Sequence, residues 1–314
     1  MEKLPRLNLL ACLALALAAS VGRAGEIAVI VKTTNSSFWQ NVNKGANDAI
    51  KGIAGHTLTF SGPATESAIA DEVNLVENAV NRHVAGIVLA PSDPDALVPA
   101  IRAAWEAHIP VVLIDSQVSA AGSRYYQSFL ATDNRAAGAL CAQELIARVG
   151  TTGKVAIMSY VAGTGSETGR VGGFRDYLQA HSQLQVIGPF YSQSQMATAL
   201  NQTTDVLASN RDLKGLFGAN EPTAVGMGRA LVQSGRAGKL VAVGFDGSED
   251  LRRFVQDGTL AAIAVQGSYQ MGFRGVQAVA DVIARRPVPR SIDTGVVVVT
   301  RANLDTPEAR RVLY

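Results

Sequence analysis

Cysteine is scarce in this sequence, which has two in 314 residues, Cys12 and Cys141. Cys12 lies in an N-terminal segment that we expect to be removed from the mature chain. A single remaining thiol cannot form a disulfide within the chain. Because Cys141 follows the apolar residues Ala139 and Leu140, we expect it to be buried and inert rather than catalytic.

An excess of charge of either sign is also missing. The whole chain carries a formal charge of +2 at pH 7, and the N-terminal segment, with Lys3, Arg6 and Arg23 against Glu2, accounts for all of it. Nucleic acids and anionic membrane surfaces attract strongly basic proteins. We therefore expect neither of them as a partner.

The patterns of common enzyme and metal sites are absent as well. The four histidines are scattered, and none has a second histidine or a cysteine at the spacing of a metal site. No Gly-x-Ser-x-Gly motif for a nucleophilic serine occurs. The glycine-containing turn at 162–170 matches neither the phosphate-binding loop nor the dinucleotide fingerprint. The sequence therefore predicts no catalysis, no metal and no cofactor.

The first 24 residues do have a clear pattern, that of a secretory signal peptide. Lys3 and Arg6 precede the apolar residues 7–19, and small residues end at Ala24, as a signal peptidase requires. The apolar run is shorter than the ~20 residues of a membrane-spanning helix. We expect export and cleavage after Ala24. An uncleaved anchor and lipidation at Cys12 are the alternatives.

The rest of the chain alternates short apolar runs with amphipathic segments. The apolar runs predict strands of parallel sheets, buried on both faces. The strand–helix–strand rhythm predicts right-handed crossovers, with helices on both faces of a sheet. The strands are expected at residues 27–31, 57–60, 85–89, 111–114, 155–158, 215–217, 240–243 and 261–265. The helices are expected at residues 38–53, 68–82, 96–107, 135–149, 169–179, 197–209, 223–234 and 270–285.

The rhythm starts again near Lys154, after the glycine-containing turn at 150–153. We therefore expect an α/β protein of two similar halves, each a doubly wound parallel sheet. Ligands bind at the carboxyl ends of the strands in such sheets. Polar residues follow four of the predicted strands at that edge: Lys32, Asp115, Asp246 and Gln266.

Two aspartates end predicted strands in the two halves, in the sequences Ile114-Asp115-Ser116 and Phe245-Asp246-Gly247. An ionised carboxylate can accept hydrogen bonds from two sugar hydroxyls, and such charge-assisted bonds are about twice as strong as neutral ones. Two aspartates at equivalent strand ends are a more specific signal of a sugar site than either aspartate alone. A solvated turn or a helix cap is the alternative for each of them.

The aromatic pair Phe38-Trp39 follows a polar turn that contains Ser36. An aromatic face can cover the C–H face of a sugar ring while polar groups bind its hydroxyl edge. Arg170 can extend a guanidinium into a cleft from the first turn of its predicted helix, and Asn220 can both donate and accept. The alternative for the aromatic rings is core packing, and for Asn220 it is a plain helix cap.

In this order, these residues resemble the periplasmic sugar-binding proteins of ABC importers, of the ribose, allose and galactose type. Those proteins are related in fold to the ligand domains of lac-repressor-type regulators. The resemblance extends over essentially the whole mature chain. The segments that carry it are 27–45, 86–91, 109–115, 132–134, 163–174, 219–228 and 243–266.

The resemblance implies a type I periplasmic binding protein, in which a three-strand hinge joins two lobes and ligand binding closes the cleft. The hinge strands are implied near 130–132, 265–266 and 292–293. The implied lobes are an N-terminal one of residues 25–130 plus 267–292 and a C-terminal one of residues 131–266 plus 293–314. The implied ligand-binding residues are Lys32, Ser36, Phe38, Trp39, Asp115, Arg170, Asn220, Asp246 and Gln266.

The implied function is capture of a monosaccharide or polyol in the periplasm by a monomer, and its delivery to the permease of an ABC importer. An exported sensor subunit that presents its sugar-bound form to a membrane receptor or kinase is the alternative. A transcriptional repressor is disfavoured, because the leader stands where a helix-turn-helix would be. A sugar hydrolase would need Asp115 and Asp246 as a paired acid and nucleophile.

Departures from the ribose receptors argue against ribose as the ligand. Ser36 and Ala90 stand where ribose receptors have asparagines, and Ser116 replaces an arginine. An aromatic contact expected near Ser192 is missing, and Tyr191 beside it is a candidate substitute. A hexose, a pentose and a polyol therefore remain open as ligands.

Overall fold

The computed structural model describes residues 25–314, so the predicted signal peptide and Cys12 lie outside the described residues. The described chain forms two six-stranded sheets. The strands are β1 (Gly25–Ile30), β2 (His56–Ser61), β3 (Gly86–Leu89), β4 (Val111–Ile114), β5 (Ser128–Ala131), β6 (Thr152–Ser159), β7 (Gln183–Tyr191), β8 (Leu213–Gly218), β9 (Val241–Phe245), β10 (Ala262–Gln266), β11 (Ser291–Asp293) and β12 (Val296–Val299). The helices are α1 (Ser37–Ile50), α2 (Ile69–Asn81), α3 (Val98–Glu106), α4 (Asn134–Val149), α5 (Gly165–His181), α6 (Met196–Ser209), α7 (Glu221–Gln233), α8 (Glu249–Asp257), α9 (Ser268–Ile283) and α10 (Pro307–Val312).

The first sheet is parallel throughout, in the order β11-β5-β4-β3-β1-β2. Successive side chains of a strand point to opposite faces. In β1, Ile27 and Val29 pack with α1 and α9, whereas Ala28 and Ile30 pack with α2 and α3. Both faces of this sheet are therefore covered by helices, and we call the sheet and these helices the first lobe.

The second sheet has the order β12-β10-β9-β8-β6-β7 and is parallel except for β12, which runs antiparallel to β10. In β6, Val155 and Ile157 pack with α4 and α5, whereas Ala156 and Met158 pack with α6 and α7. We call this sheet and its helices the second lobe. The two lobes therefore repeat one architecture, which confirms the predicted α/β fold of two doubly wound halves.

Cys141 lies on α4 in the core of the second lobe, where it is buried as predicted. Burial raises the pKa of its thiol, since the charged thiolate is poorly solvated there. Among the residues that the structure describes, no helix is long and apolar enough to cross a membrane.

Glycines let one pair of helices in each lobe pack very closely. In the first lobe, a Cβ atom on Gly45 of α1 would lie 2.1 Å from the carbonyl oxygen of Tyr269 in α9. In the second lobe, a Cβ atom on Gly138 of α4 would lie 2.0 Å from the carbonyl oxygen of Arg170 in α5. No side chain fits at such a contact, so the backbones of both helix pairs touch.

The chain crosses between the lobes three times, after β5, after β10 and between β11 and β12. The crossings bind each other, since Thr132 Oγ1 donates to the carbonyl of Gly295 and the N–H of Thr294 donates to the carbonyl of Ala131, both at 3.0 Å. The predicted three-strand hinge is confirmed. The exact lobe boundaries stay a prediction, and Ala131 pairs with Asp293 in the first sheet although the prediction places both in the second lobe.

Four elements of the second lobe have no counterpart among the predicted strands and helices: β7, α8, β12 and α10. β7 is an edge strand with half-buried residues and a proline, Pro189, so it lacks the continuous apolar run of an inner strand. α8 has 9 residues, of which only Leu251 and Val255 are buried. The start of α5 also differs, since the predicted start at 169 is four residues too late.

Candidate functional site

A narrow cavity lies between the lobes, at the carboxyl ends of both sheets. It is lined by all nine residues that the sequence analysis selected: Lys32, Ser36, Phe38, Trp39, Asp115, Arg170, Asn220, Asp246 and Gln266. It is also lined by residues that the sequence analysis did not select: Glu66, Tyr160, Ser166, Glu221 and Pro222.

Asp115 and Asp246 occupy equivalent positions in the two lobes. Each follows a strand in a left-handed backbone conformation, with φ of 62° and 77°, which aspartate tolerates better than most residues. The N–H of Asp115 donates to Leu130 O at 3.0 Å, and the N–H of Asp246 donates to Ala264 O at 2.8 Å. Both residues are buried, 4% and 3% exposed, so the solvated-turn alternative is wrong for both.

Lys32 forms a buried ion pair with Asp115 at the wall of the first lobe. Its Nζ donates to Asp115 Oδ2 at 2.6 Å and to Ser116 Oγ at 2.8 Å. It also donates to Ser166 Oγ of the second lobe at 3.2 Å. Within the described residues, the side-chain hydrogen bonds to this carboxylate all go to Oδ2, which leaves Oδ1 as an acceptor for a ligand.

Asp246 lies on the opposite wall. Its Oδ1 accepts a hydrogen bond from Gln266 Nε2 at 2.8 Å, and its Oδ2 accepts one from the N–H of Glu221 at 2.9 Å. Burial raises the pKa of Asp246 to about 6, although the Arg170 guanidinium opposes the shift. Gln266 Oε1 is buried and has no hydrogen-bond partner among residues 25–314, so it is a second acceptor for a donor that enters the cavity.

Arg170 is fully inside the protein. Its guanidinium carbon lies 3.5 Å from the centre of the Phe245 ring and 5.6 Å from that of Tyr160. Its nitrogens donate to Asn134 Oδ1 at 2.7 and 3.1 Å and to the carbonyl of Ala219. Because α5 begins at Gly165, Arg170 lies in the second turn of the helix, and the predicted first-turn position is wrong.

Phe38 and Trp39 form an edge-to-face pair at the start of α1, with ring centres 4.8 Å apart and planes at 88°. Ser36 caps this helix, since its Oγ accepts a hydrogen bond from the N–H of Trp39 at 3.4 Å. The Trp39 Nε1 donates to Glu66 Oε1 at 3.0 Å. Both rings also pack in the core of the first lobe. They therefore belong to the core and line the cavity at the same time.

Asn220 is the N-cap of α7, as its alternative proposed, because its Oδ1 accepts a hydrogen bond from the N–H of Thr223 at 3.2 Å. It lines the cavity as well. Its Nδ2 donates to Ser194 Oγ at 2.9 Å, and that hydroxyl donates to Glu66 Oε2 at 2.5 Å. A chain of hydrogen bonds therefore crosses the cleft from Asn220 to Glu66.

The aromatic residue that the second lobe contributes to the cavity is Tyr160 rather than Tyr191. Tyr191 is the last residue of β7 and does not line the cavity. Tyr160 follows β6, and its hydroxyl donates to Ser166 Oγ at 2.9 Å. Its position two residues after the predicted strand at 155–158 was a signal that could have identified it. Glu66 lies in a loop without a comparable pattern.

The two cations at the cavity wall each act on an aspartate, whereas Glu66 and Glu221 accept hydrogen bonds from uncharged donors. Lys32 is paired with Asp115, and the positive charge of Arg170 acts on Asp246. Within residues 25–314, no group of three or more His, Cys, Asp or Glu side chains is placed to hold a metal ion. Such a wall suits a neutral ligand with many hydroxyls, because it offers charged donors, charged acceptors and aromatic faces together.

The sequence and the structure were compared with known proteins. Residues 27–287 match the model of a family described as periplasmic binding protein domain. The chain is 30% identical over 273 residues to the D-allose-binding periplasmic protein of Escherichia coli K12, covering 85% of this chain and 87% of that protein.

Two solved structures are also similar. One is an ABC transporter solute binding protein from Agrobacterium vitis with bound D-fucose, which is 68% identical, with a TM-score of 0.92 and coverage of 92% of this chain and 100% of that chain. The other is a carbohydrate transporter solute binding protein from Agrobacterium radiobacter in complex with D-arabinose. It is 31% identical, with a TM-score of 0.88 and coverage of 92% and 99%.

Proposed function

The chain belongs to the periplasmic binding protein family, and from this premise we propose that it captures one monosaccharide or polyol between its lobes and delivers it to the permease of an ABC importer. The observation that carries the proposal is the convergence of residues from both lobes on one buried cavity, with a carboxylate at the equivalent strand end of each. The names of the similar proteins favour transport over sensing.

Different residues of the proposed site contact the apolar and the polar groups of the sugar. Trp39 and Phe38 cover apolar C–H groups. Asp115 and Asp246 accept hydrogen bonds from hydroxyls on opposite sides of the ring. A sugar whose hydroxyl is misplaced leaves one of these carboxylates without a donor and therefore binds more weakly. Donors and acceptors of Lys32, Ser36, Arg170, Asn220 and Gln266 bind the remaining hydroxyl groups.

The ligand is proposed to be an aldohexose or a deoxyhexose in the first place. The 68% identical protein carries D-fucose, which has a methyl group in place of one hydroxymethyl. Residues of both lobes line a narrow cavity, which suits a single sugar ring rather than an oligosaccharide. D-Allose, the aldohexose named for a more distant relative, belongs to the same class, and the pentose D-arabinose is the next candidate.

The proposed site of action is the periplasm, after removal of the signal peptide at Ala24. The lobes of residues 25–130 plus 267–292 and 131–266 plus 293–314 are proposed to close about the three hinge strands when the sugar binds. The closed monomer then presents surfaces of both lobes to the permease subunits. A closed state that forms only with sugar lets the permease distinguish loaded from empty protein.

A thermal-shift screen of the mature chain tests the proposal. The panel contains D-fucose, D-galactose, D-arabinose, D-allose, D-ribose and sorbitol. At a concentration 100-fold above its Kd, a bound sugar stabilises the folded state by about 2.7 kcal/mol and raises the Tm by about 5 °C. No shift with any monosaccharide or polyol, for protein with a cooperative melting transition, would contradict the proposed function.

A further inference from the structure

One pair of hydrogen bonds joins the two lobes directly across the cleft. Glu221 is the first residue of α7 in the second lobe, and Ser37 and Phe38 are the first two residues of α1 in the first lobe. The Glu221 carboxylate accepts a hydrogen bond from the N–H of Ser37 at 3.0 Å through Oε1 and one from the N–H of Phe38 at 2.8 Å through Oε2. The N–H groups in the first turn of a helix have no partner within the helix. An acidic side chain of one lobe therefore caps a helix of the other.

The same residue is also attached to the sugar-binding wall of its own lobe. The N–H of Glu221 donates to Asp246 Oδ2 at 2.9 Å, and Tyr314, the last residue of the chain, donates its hydroxyl to Glu221 Oε2 at 3.1 Å. Glu221 is only 6% exposed. It thus connects the carboxylate on one side of the cavity with the helix that carries Phe38 and Trp39 on the other.

Resting on the proposed function, we propose that Glu221 is a positioning residue for ligand retention, which holds α1 against the second lobe once the sugar has entered. Opening the hinge separates α1 from α7, so both hydrogen bonds exist only when the cleft is closed. An interaction that forms after the encounter acts on dissociation rather than association. Glu221 therefore slows release of the sugar, whereas Asp115 and Asp246 accept the hydrogen bonds of its hydroxyl groups.

A purely local role as a cap of α1 explains these contacts less well. The helix already has an N-cap from its own lobe, because Ser36 Oγ accepts the N–H of Trp39 at 3.4 Å. Glu221 adds acceptors for the two preceding N–H groups, which an open cleft exposes to water. A carboxylate at this end also interacts favourably with the helix dipole.

The test compares Glu221→Gln with wild type at pH 8. Burial and the nearby Asp246 raise the pKa of Glu221 to about 7, so at pH 8 the wild-type carboxylate is mostly ionised. Glutamine has the same shape but only one acceptor oxygen, and its amide group opposes one of the two N–H donors. Glu77→Gln is the matched control, because Glu77 is exposed on α2, away from the cleft.

Stopped-flow fluorescence measures the two rates with the sugar that gives the largest thermal shift. All variants carry Trp105→Phe, which removes the exposed Trp105, 44% exposed, and leaves Trp39 as the reporter. We expect E221Q to release the sugar about 10- to 100-fold faster, which corresponds to the loss of one charge-assisted hydrogen bond, with an association rate within about threefold of wild type. E77Q should match wild type in both rates.

Several outcomes overturn the inference. If wild type binds the sugar and E221Q releases it at the same rate, Glu221 has no positioning role and the proposed function still stands. If E221Q lowers the Tm of the sugar-free protein and changes neither rate, Glu221 is only a structural cap of α1 and the inference is wrong. If wild type binds no sugar, the proposed function fails. Hydrogen exchange of the Ser37 and Phe38 amides then shows whether Glu221 protects them in the folded protein. Faster exchange in E221Q supports the cross-lobe contact, and equal exchange overturns it.

Discussion

At the residue scale, Asp246 shows how the proposed sugar site can be both buried and charged. Loss of water raises the pKa of its carboxyl group, while the charge of Arg170 and hydrogen bonds from Gln266 and the Glu221 N–H oppose that shift. The compensation is partial, since the pKa remains at about 6. Hydroxyl donors of a ligand complete the solvation of the carboxylate, which ties binding energy to the position of specific hydroxyl groups.

Glu72 provides a prediction at the same scale. It is buried in α2, and its Oε2 accepts a hydrogen bond from the N–H of Ser92 at 3.0 Å. Its Oε1 has no hydrogen-bond partner in the part of the chain that the structure describes. Burial raises its pKa from 4.5 to about 7. Because the pKa is higher in the folded state, the neutral Glu72 side chain contributes to the stability of the protein. This contribution is fully present below about pH 4.5 and is lost as the pH rises through about 7.

Replacing Glu72 by glutamine removes this loss, because the amide stays neutral. We expect E72Q to exceed wild type in free energy of unfolding by up to about 3 kcal/mol at pH 8, with little difference at pH 4.5. Urea unfolding at the two pH values measures it, with Glu77→Gln as the control on the exposed side of the same helix. Parallel pH profiles for wild type and E72Q would show that Glu72 is already ionised without penalty.

Some site residues could be predicted one by one, and others could not. Asp115, Asp246 and Trp39 stand at strand ends or helix starts, where the sequence pattern also predicts the edge of the sheet that binds ligand. Glu66 lies in a loop, and its importance depends on Trp39 and on Ser194 of the other lobe. No sequence pattern near Glu66 predicts these two contacts.

At the element scale, each lobe relies on a pair of helices whose backbones touch. A Cβ atom on Gly173 of α5 would lie 2.0 Å from the carbonyl oxygen of Arg135 in α4, and one on Gly272 of α9 would lie 2.0 Å from that of Val42 in α1. Because α1 begins with the aromatic wall and α5 carries Arg170, these contacts fix how both elements approach the cavity.

The helix contact gives a second stability prediction. Gly45→Ala places a methyl group where the carbonyl of Tyr269 lies 2.1 Å away, so α1 and α9 must move apart. We expect a loss of about 1–3 kcal/mol in the free energy of unfolding, as is usual for overpacked cores. Urea unfolding measures the loss.

Gly52→Ala is the control, because the nearest atom to a Cβ there is the carbonyl oxygen of Ala49 at an ordinary 3.6 Å. It should change the stability by no more than about 0.5 kcal/mol. Equal stability of G45A and G52A would mean that the two helices are not in backbone contact.

Elements with strong periodicity were predictable, and elements at the margins were not. The inner strands are short continuous apolar runs, such as β4 at Val111–Ile114, where prediction and structure agree residue by residue. β7 lies at a sheet edge, and its half-buried residues do not form such a run. α8 has only 9 residues, which is shorter than the window over which apolar periodicity identifies a helix.

At the scale of the whole molecule, the fold follows from the sequence better than the closed cleft does. The alternation of strands and helices predicts two doubly wound lobes, and the resemblance to periplasmic sugar-binding proteins is confirmed by the family match over residues 27–287. The contacts of Lys32 with Ser166 and of Glu221 with α1 depend on how the lobes are placed. That placement arises from three hinge crossings far apart in the chain, so no segment predicts it alone.

The central claim is that one sugar binds between the lobes through the two equivalent aspartates. Isothermal titration calorimetry of wild type and Asp246→Asn with the sugar found by thermal shift tests it most directly. Asparagine also tolerates the left-handed backbone at this position, where φ is 77°, and Asp257→Asn on the exposed end of α8 is the control. We predict one sugar per chain for wild type and D257N, and a Kd at least about 100-fold higher for D246N, because charge-assisted hydrogen bonds to hydroxyls are lost. Wild-type affinity in D246N would contradict the account.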